Sequence, residues 1–299
     1  MIKFRHFLLV SILSILVYAC GGDDNGSSID NFDHAAQALK DNDSLVSFLK
    51  KHYYDVDLDS VKPLIVGKTP LFDDAKLMTE EITETINDID IDYKLYYYVV
   101  RYGDPVPTPE PGKENPSVVD SVYVSYYGQR IVNTDSLSVS FDNNEYVWWT
   151  LSGVIKGWSY GFSHFKGGEN VTDNGPITYD NGGKGVLFIP SGLAYGNTGS
   201  YPILSNEPLL FYIDLFDFVP ETDIDQDGVA SIFEDIDGDG KPWNDDTDGD
   251  GLANLFDTDD DGDGVLTKNE DANGNGNPRD DFNDPNNPTI PDYLNINIR

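Results

Sequence analysis

The chain has 299 residues, of which 39% are hydrophobic, so it is long enough to bury one or two cores. Its 53 acidic and 19 basic residues give a net charge of -34, which would repel a polyanion and excludes nucleic acid as an expected partner. From Glu221 onward there are 23 acidic and 4 basic residues, which marks the last quarter of the chain as a separate module.

The N-terminal residues have the pattern of an export signal. Lys3, Arg5 and His6 precede an apolar run over residues 7–18 that is too short to span a bilayer. Cys20, the only cysteine of the chain, ends a segment that resembles the bacterial lipobox, in which the cysteine is acylated. We therefore expect a signal peptide over residues 1–20, lipidation of Cys20, and a flexible tether over residues 21–30. An ordinary signal peptide with an incidental cysteine is the alternative.

A lipid anchor would place the chain at a bacterial outer membrane or cell surface, with the periplasmic face left open. The next region, residues 31–91, has mixed signals and is expected to form a small helical extension packed against the following domain. Its clearest helix is predicted over residues 43–53, where Leu45, Phe48 and Leu49 fall at helical spacing. Residues 80–85 are a weaker helix candidate.

Three later segments predict a curved antiparallel sheet wrapped on one short helix. Residues 154–158 lead from an extended run into a helix, residues 187–196 begin as a buried strand that stops at a proline, and residues 208–218 read as a half-buried strand. Two aromatic-rich strands precede them, over residues 94–102 and 118–127. The expected fold class is therefore α+β.

These segments resemble the FKBP-type peptidyl-prolyl isomerases. The family's V-I-x-G-W stands at residues 154–158, its I-P-x-x-x-A-Y-G at 189–196, and its Y-x-G at 126–128. Thr134-Asp135-Ser136 takes the place of the family's F-D-S, and residues 209–215 match its closing strand. The resemblance implies an isomerase domain over residues 92–220 that acts on X-Pro segments of exported proteins and needs no cofactor for catalysis.

The resemblance also implies the residues of the pocket. Trp158 would form its floor, Tyr126 and Phe211 would form its walls, and the Ile155 N–H would donate to the substrate carbonyl. Asp135 would hold Tyr126 by a hydrogen bond. The expected catalytic residues are Tyr126, Asp135, Val154, Ile155, Trp158, Tyr195 and Phe211, and the expected substrate pocket adds Val147, Ala194 and Ile203.

Two departures from the family pattern bear on activity. Thr134 stands where an aromatic residue usually precedes the aspartate, and Val147 takes the place of another wall aromatic. The loss of two rings would widen the pocket and weaken aromatic contacts with a substrate. The first hypothesis is an isomerase, and the alternative is a weak or inactive surface adhesion lipoprotein that binds peptides. An insertion over residues 167–183 is expected to form a hairpin or a mobile flap beside the site.

The acidic last quarter repeats with a period of about 12 residues, the length of a calcium-binding loop. Acids or amides occupy positions 1, 3 and 5, glycine occupies position 6, and an acid often closes the loop at position 12. The expected metal ligands are Asp223, Asp225, Asp227, Glu234, Asp235, Asp237, Asp239, Asp246, Asp248, Asp250, Asp257, Asp259, Asp261, Asp263, Glu270, Asp271, Asn273 and Asn275.

A disordered acidic tail is the alternative for this module, and the apolar residues between the loops argue against it. The last ligand of one loop overlaps the first ligand of the next, which resembles type 3 thrombospondin repeats. Calcium is therefore expected as a structural ion that folds the segment from about Asp223 to Asp281.

Overall fold

The computed structural model describes residues 30–104 and 114–299. The expected signal peptide, the expected lipidation site Cys20 and residues 21–29 of the expected tether lie outside these ranges. Nearly all of the described residues belong to one unit, Asp33–Arg299. Within the described ranges, no helix is both long enough and apolar enough to cross a membrane.

The N-terminal helix, α1, spans His34–Lys51 and begins well before the predicted start at residue 43. Asp33 caps it by accepting a hydrogen bond from the Ala36 N–H at 2.9 Å. The prediction started late because Asp41 interrupts the apolar pattern of the sequence. In the structure, Asp41 is buried together with Leu45 because it accepts hydrogen bonds from a distant loop.

The remaining elements are ten strands and one further helix, α2, which spans Lys156–Phe162. In chain order the strands of the described residues are β1 His52–Asp55, β2 Ser60–Pro63, β3 Leu77–Ile86, β4 Ile89–Arg101, β5 Ser121–Asn133, β6 Ser136–Thr150, β7 Glu169–Asn170, β8 Tyr179–Asp180, β9 Gly183–Ile189 and β10 Leu209–Val219.

Six strands form one antiparallel sheet in the order β3-β4-β9-β10-β5-β6, with a helix on each face. On the inner face, Leu187 and Leu209 join Trp158 of α2 in one core. On the outer face, the next residues along each strand, Phe188 and Leu210, join residues of α1 in a second core. Successive strand residues point to opposite faces, so one sheet serves both helices. The expected α+β class with an antiparallel sheet is confirmed.

The first strand of the sheet lies in the region that was expected to be helical. Strand β3 pairs with β4 along its whole length, so the weak helix prediction at residues 80–85 is wrong. Ile82 is buried opposite Tyr93, while Glu81 and Thr83 are exposed, as the period of two in a half-buried strand requires. The sheet therefore begins at Leu77 rather than at residue 92, and α1 is the helical part of the expected extension.

Two glycines allow α2 to lie directly on the sheet. Gly157 and Gly161 are one turn apart, and a Cβ atom at either position would collide with Ile189 or Leu187 of β9. A larger residue would have to push the helix away from a close-packed core. The V-I-x-G-W pattern therefore fixes the height of the helix above the sheet.

The insertion after α2 folds as the expected hairpin, with β7 antiparallel to β8. The Tyr179 hydroxyl donates to Asp217 Oδ2 at 3.1 Å, and the Tyr179 ring contacts Tyr123 and Phe216. Tyr123 alternates along β5 with residues of the inner core, so these rings lie on the outer face. The hairpin is held against the outer face of the sheet rather than over the inner one.

Residues 221–299, all of which are described, contain no strand and form the segment that we call the arm. Its regular elements are single-turn 3₁₀ helices at Ser231–Glu234, Pro242–Asn244, Asn254–Phe256, Thr267–Asn269, Pro278–Asp280 and Asp292–Leu294. The arm is tied to the sheet at its start, where the Thr222 N–H donates to Asp120 Oδ1 at 3.0 Å and Thr222 Oγ1 accepts from the Ser121 N–H at 2.9 Å.

Candidate active site and candidate metal sites

A pocket of about 450 Å³ opens between the first turn of α2, the inner face of the sheet and the loop after β9. The structure brings seven of the ten expected residues together in it and places Asp135, Val147 and Ile203 elsewhere. The residues that line it are Tyr126, Phe141, Asp142, Trp149, Gly153, Val154, Ile155, Lys156, Trp158, Ala194, Tyr195 and Phe211.

Aromatic rings packed edge to face form the bottom of the pocket. The Trp158 ring is 4% exposed, and its centroid lies 4.8 Å from that of Tyr126 and 5.2 Å from that of Phe211. Such T-shaped contacts stabilise each ring pair by about 0.5 to 1.5 kcal/mol beyond the area they bury. The rings are therefore fixed in place before any ligand enters.

Strand β6 supplies two rings to the pocket wall, Phe141 and Trp149. The Phe141 centroid lies 5.5 Å from that of Phe211 at an interplanar angle of 88°, and Trp149 lines the pocket beside them. The inference that Thr134 and Val147 leave the wall incomplete is therefore wrong. Val147 is half-buried and packs against the inner core. Four register shifts between β5 and β6 hide this arrangement, because a simple alternation no longer tells which residues face the pocket.

The carboxylate that holds Tyr126 is Asp142, not Asp135. The Tyr126 hydroxyl donates to Asp142 Oδ2 at 2.8 Å. Asp135 is exposed in the turn between β5 and β6 and forms an ion pair with Lys51 Nζ at 2.8 Å. The aromatic residue directly before Asp142 was the signal that could have identified it, since Phe141-Asp142 matches the family's F-D. Burial, together with the Asp142 hydrogen bond, raises the pKa of Tyr126 to about 12, so its hydroxyl is a donor at neutral pH.

The backbone N–H of Ile155 is available as a donor at the pocket. Ile155 is the N-cap residue of α2, and none of the hydrogen bonds found among the described residues uses its N–H. The partly exposed Tyr195 lies across the pocket on the loop after β9. Ile203, expected in the pocket, is 5% exposed and belongs to the inner core, because its N–H donates to Ser200 O and closes a tight turn.

An aspartate of α1 fixes the loop that carries Tyr195. Asp41 Oδ2 accepts hydrogen bonds from the Ser191 N–H at 2.7 Å and from Ser191 Oγ at 2.6 Å. Gln37 Nε2 donates to the other carboxylate oxygen at 2.7 Å. Burial of Asp41 raises its pKa, and these hydrogen bonds act in the opposite direction. A buried carboxylate of the expected extension thus attaches it to the pocket loop.

The arm reaches the rim of the pocket through one aromatic residue. The Lys156 side chain lines the pocket, and its Nζ lies 3.0 Å from the centroid of the Trp243 ring, a cation-π contact. Trp243 also contacts Tyr160 of α2 edge to face at 5.9 Å. Burial lowers the pKa of Lys156 to about 7. A change in the position of the arm would therefore alter the contacts made by the first turn of α2.

The acidic repeats fold as five loops of the same shape. In each loop the glycine at position 6 has a positive φ between 84° and 100°, which favours glycine over other residues. Its N–H donates to the aspartate at position 1 over 2.7 to 3.1 Å, as Gly240 does to Asp235 and Gly264 does to Asp259. In the first four loops, carboxylate oxygens from positions 1, 3 and 5 lie within 4.8 Å of one another. This donor set suits a hard divalent cation such as calcium.

Several carboxylate oxygens of these loops are buried without a hydrogen-bond partner among the described residues. Both carboxylate oxygens of each of Glu234, Asp260 and Glu270 are buried without such a partner. Burial raises the pKa of Glu234 to about 10, that of Asp260 to about 9 and that of Glu270 to about 8, with neighbouring carboxylates acting in the same direction. Buried, unpaired acids are unfavourable unless a counter-charge is supplied, so these groups fit a bound cation.

Three acids of the arm were not among the expected ligands. Asp245, rather than Asp246, faces the second loop, where its Oδ1 accepts from the Asp237 N–H at 3.1 Å and its Oδ2 is buried without a partner. Asp246 instead accepts from Gly249 and Gly251 of the third loop. Asp281 and Asp260 are likewise buried and incompletely paired. The strict period of 12 hides Asp245 because the second loop is one residue shorter than the first.

The sheet, the helix across it and the ring-lined pocket have the arrangement that the sequence resemblance to FKBP-type isomerases predicts. Residues 112–216 match the family model described as FKBP-type peptidyl-prolyl cis-trans isomerase. Residues 224–295 match a second family model, described as BamM C-terminal.

The chain is similar to the FKBP-type peptidyl-prolyl cis-trans isomerase FkpA of Escherichia coli strain K12. The two are 34% identical over 112 residues, which are 37% of this chain and 36% of that protein. The same values hold for FkpA of the O157:H7 strain. The chain thus spans about a third of the length of the curated relatives it matches.

Two solved structures resemble the chain over part of its length. The crystal structure of FkpA from Escherichia coli has 31% sequence identity, covers 46% of this chain and 52% of that one, and gives a TM-score of 0.32. A peptidyl-prolyl cis-trans isomerase from Pseudomonas syringae pv. tomato has 25% identity, covers 42% and 74%, and gives a TM-score of 0.31.

Proposed function

We propose that the chain is a peptidyl-prolyl cis-trans isomerase that acts on X-Pro segments of exported proteins. The observation that carries this proposal is the complete ring-lined pocket. Trp158, Tyr126 and Phe211 contact one another, Phe141 contacts Phe211, and Ile155, whose N–H has no partner among the described residues, lines the pocket. The alternative, a weak or inactive surface adhesion lipoprotein that binds peptides, drew support from the expected loss of wall rings, and Phe141 and Trp149 line the pocket in their place.

Rotation about an X-Pro bond crosses a barrier of about 18 to 20 kcal/mol, most of which is lost amide resonance. The twisted amide has less charge separation than the planar amide, so a site lowers the barrier by binding the twisted form more tightly. In this chain, the rings of Trp158 and Phe211 would receive the prolyl ring in an apolar space. The Ile155 N–H would hold the carbonyl that precedes it, and the Tyr195 hydroxyl would position the peptide backbone. No proton transfer and no covalent intermediate is required.

An isomerisation assay on a proline-containing tetrapeptide tests the proposal. The wild-type chain should accelerate the cis-to-trans step, and Phe211→Ala should reduce the acceleration at least about tenfold because it removes a wall ring worth more than about 1.4 kcal/mol. Tyr146→Ala is the matched control, since Tyr146 is exposed on β6 and does not line the pocket. A folded wild-type chain without activity would contradict the proposal.

We further propose that the chain is exported and anchored to a bacterial outer membrane or cell surface through an acylated Cys20. The apolar run before Cys20 and the polar tether after it support this. Cys20→Ser should move the protein from the membrane fraction to the soluble fraction of cells and abolish incorporation of a fatty acid label. Protease treatment of intact cells would then decide between the outer surface and the periplasm.

We also propose that calcium is a structural ion of the arm and that catalysis uses no cofactor. The matching shape of the five loops and their unpaired buried carboxylates support the ion sites. Without calcium, mutual repulsion of the carboxylates should expand the arm. Small-angle scattering should give a larger radius of gyration in chelator than in millimolar calcium, and equal radii would contradict the proposal.

A further inference from the structure

The fourth loop of the arm carries an acid where the other loops have none. Position 2 is occupied by Ile224, Ile236, Thr247 and Ala272 in the other four loops and by Asp260 in the fourth. The Asp260 N–H donates to Thr267 Oγ1 at 3.3 Å, and the Thr247 N–H of the third loop donates to an equivalent side chain, Asn254 Oδ1. The backbone at position 2 therefore has the same role in both loops, and the carboxylate of Asp260 is an addition.

The Asp260 side chain points away from its own loop and into the first loop. An oxygen of Asp260 lies within 4.8 Å of oxygens of Asp227 and Glu234, which hold positions 5 and 12 of the first loop. The exposed fraction is 1% for Asp260 and 0% for Asp227 and Glu234. By contrast, Asp259, Asp261 and Asp263 converge with one another within the fourth loop.

The oxygens that meet between the two loops have no other partner. Both oxygens of Asp260, both of Glu234 and Oδ2 of Asp227 accept no hydrogen bond from any described residue. A buried carboxylate normally accepts several hydrogen bonds or meets a positive charge. No lysine or arginine side chain forms an ion pair with these three acids in the described part of the chain. A divalent cation is the ligand whose charge and oxygen preference fit this space.

We propose that Asp260 is a calcium ligand of the first loop, so that one ion is shared between the first and fourth loops and holds them together. This inference rests on the proposal above that the arm binds calcium. It adds a specific consequence, which is that the loops do not act as an independent series. The ion bound between Asp227, Glu234 and Asp260 links the first loop of the arm to the fourth.

Ion counting by native mass spectrometry of the full chain in calcium tests the proposal. Asp260→Asn and Asp260→Thr, the second of which copies Thr247 at the same position of the third loop, should each bind one ion fewer than wild type. Glu234→Gln should also lose one ion. The double variant Asp260→Thr with Glu234→Gln should still lose only one, because both residues hold the same ion. Glu221→Gln, an exposed acid before the first loop, is the control and should bind the wild-type number.

The outcomes separate this inference from the calcium proposal. A wild-type chain that binds no calcium would overturn both. A wild-type chain that binds calcium, with Asp260 variants that lose no ion or more than one, would overturn only the shared site. Loss of two ions in the double variant would assign Asp260 to a different ion and would also overturn it. Titration calorimetry should show at least tenfold weaker binding at the affected site.

Discussion

The sheet domain and the arm of this chain differ in the residues that fill their interiors. In the sheet domain, strands present apolar residues such as Leu187 and Phe188 to two cores, and the strand ladders satisfy the backbone. In the arm, few large apolar side chains are fully buried, Leu255 and Tyr293 among them, and acids such as Glu234 take the interior positions. Apolar burial offsets the entropy of ordering the sheet domain without help. In the proposed account, a bound cation supplies the counter-charge that stabilises the arm.

Because of this difference, we expect different changes to destabilise the two regions. Loss of a core side chain should affect the sheet domain whether or not calcium is present. A change in ion or proton concentration should act first on the arm. Through the contact of Trp243 with Lys156, a structural change in the arm can affect the pocket of the sheet domain.

The largest expected effect is a pH dependence of the arm in chelator. Burial raises the pKa of Glu234 to about 10, of Asp260 to about 9, of Glu270 to about 8 and of Asp225 to about 7. The folded, ion-free arm therefore holds more protons than the unfolded arm above about pH 4.5, and its stability falls as the pH rises toward these values. One pKa unit corresponds to about 1.4 kcal/mol.

Circular dichroism in chelator should show the arm gaining order when the pH is lowered from 8 to 5. In calcium the dependence should reverse, because protons compete with the ion for the same oxygens. A pH-independent signal in chelator would contradict the contrast between the two regions.

The next largest effect is expected from the carboxylate that joins α1 to the pocket loop. Asp41→Ala removes two hydrogen bonds to Ser191 and should lower the free energy of unfolding of the sheet domain by about 3 kcal/mol, equally in calcium and in chelator. Isomerase activity should fall as well, because the loop carries Tyr195. Denaturant titration measures the first effect, and exposed Asp43→Ala on the same helix is the control, with a change below about 0.5 kcal/mol.

A smaller effect separates the two candidate aspartates of the pocket. Asp142→Asn weakens the hydrogen bond that holds Tyr126 and should lower the isomerase kcat/KM about tenfold, since a hydrogen bond to a charged group is worth about 1.5 to 3 kcal/mol. Asp135→Asn should leave kcat/KM unchanged, because that residue only pairs with Lys51 at the surface. Equal losses of kcat/KM in the two variants would contradict the role assigned to Asp142.

The smallest effect concerns the contact between the regions. Trp243→Ala removes a cation-π contact worth about 1 kcal/mol, and activity in calcium should then change less than about fivefold. The informative quantity is the ratio of activity with and without calcium. That ratio should depart from one in the wild-type chain and return to one in Trp243→Ala, and a ratio of one in both would show that the regions are uncoupled.

The features predicted correctly from the sequence depend on contacts between near neighbours in the chain. The features that were missed depend on contacts between residues far apart in the chain. The V-I-x-G-W turn and the calcium-like loops were predicted because glycines and aspartates at fixed spacing act within a few residues. Strand β3 was missed because its pairing with β4 overrides a weak local preference. Asp142 was missed because register shifts in β6 break the alternation that would have pointed it at Tyr126. Asp260 was missed because its oxygens lie beside those of Asp227 and Glu234, which belong to a different and earlier loop.

Hydrogen exchange of the full chain in calcium and in chelator tests the central contrast most directly. We expect amides in residues 223–295 to lose protection when calcium is removed, while those of β4, β9 and β10 keep theirs and the isomerase pocket stays folded. Unchanged protection of the arm in chelator would contradict the claim that an ion takes the place of an apolar core there.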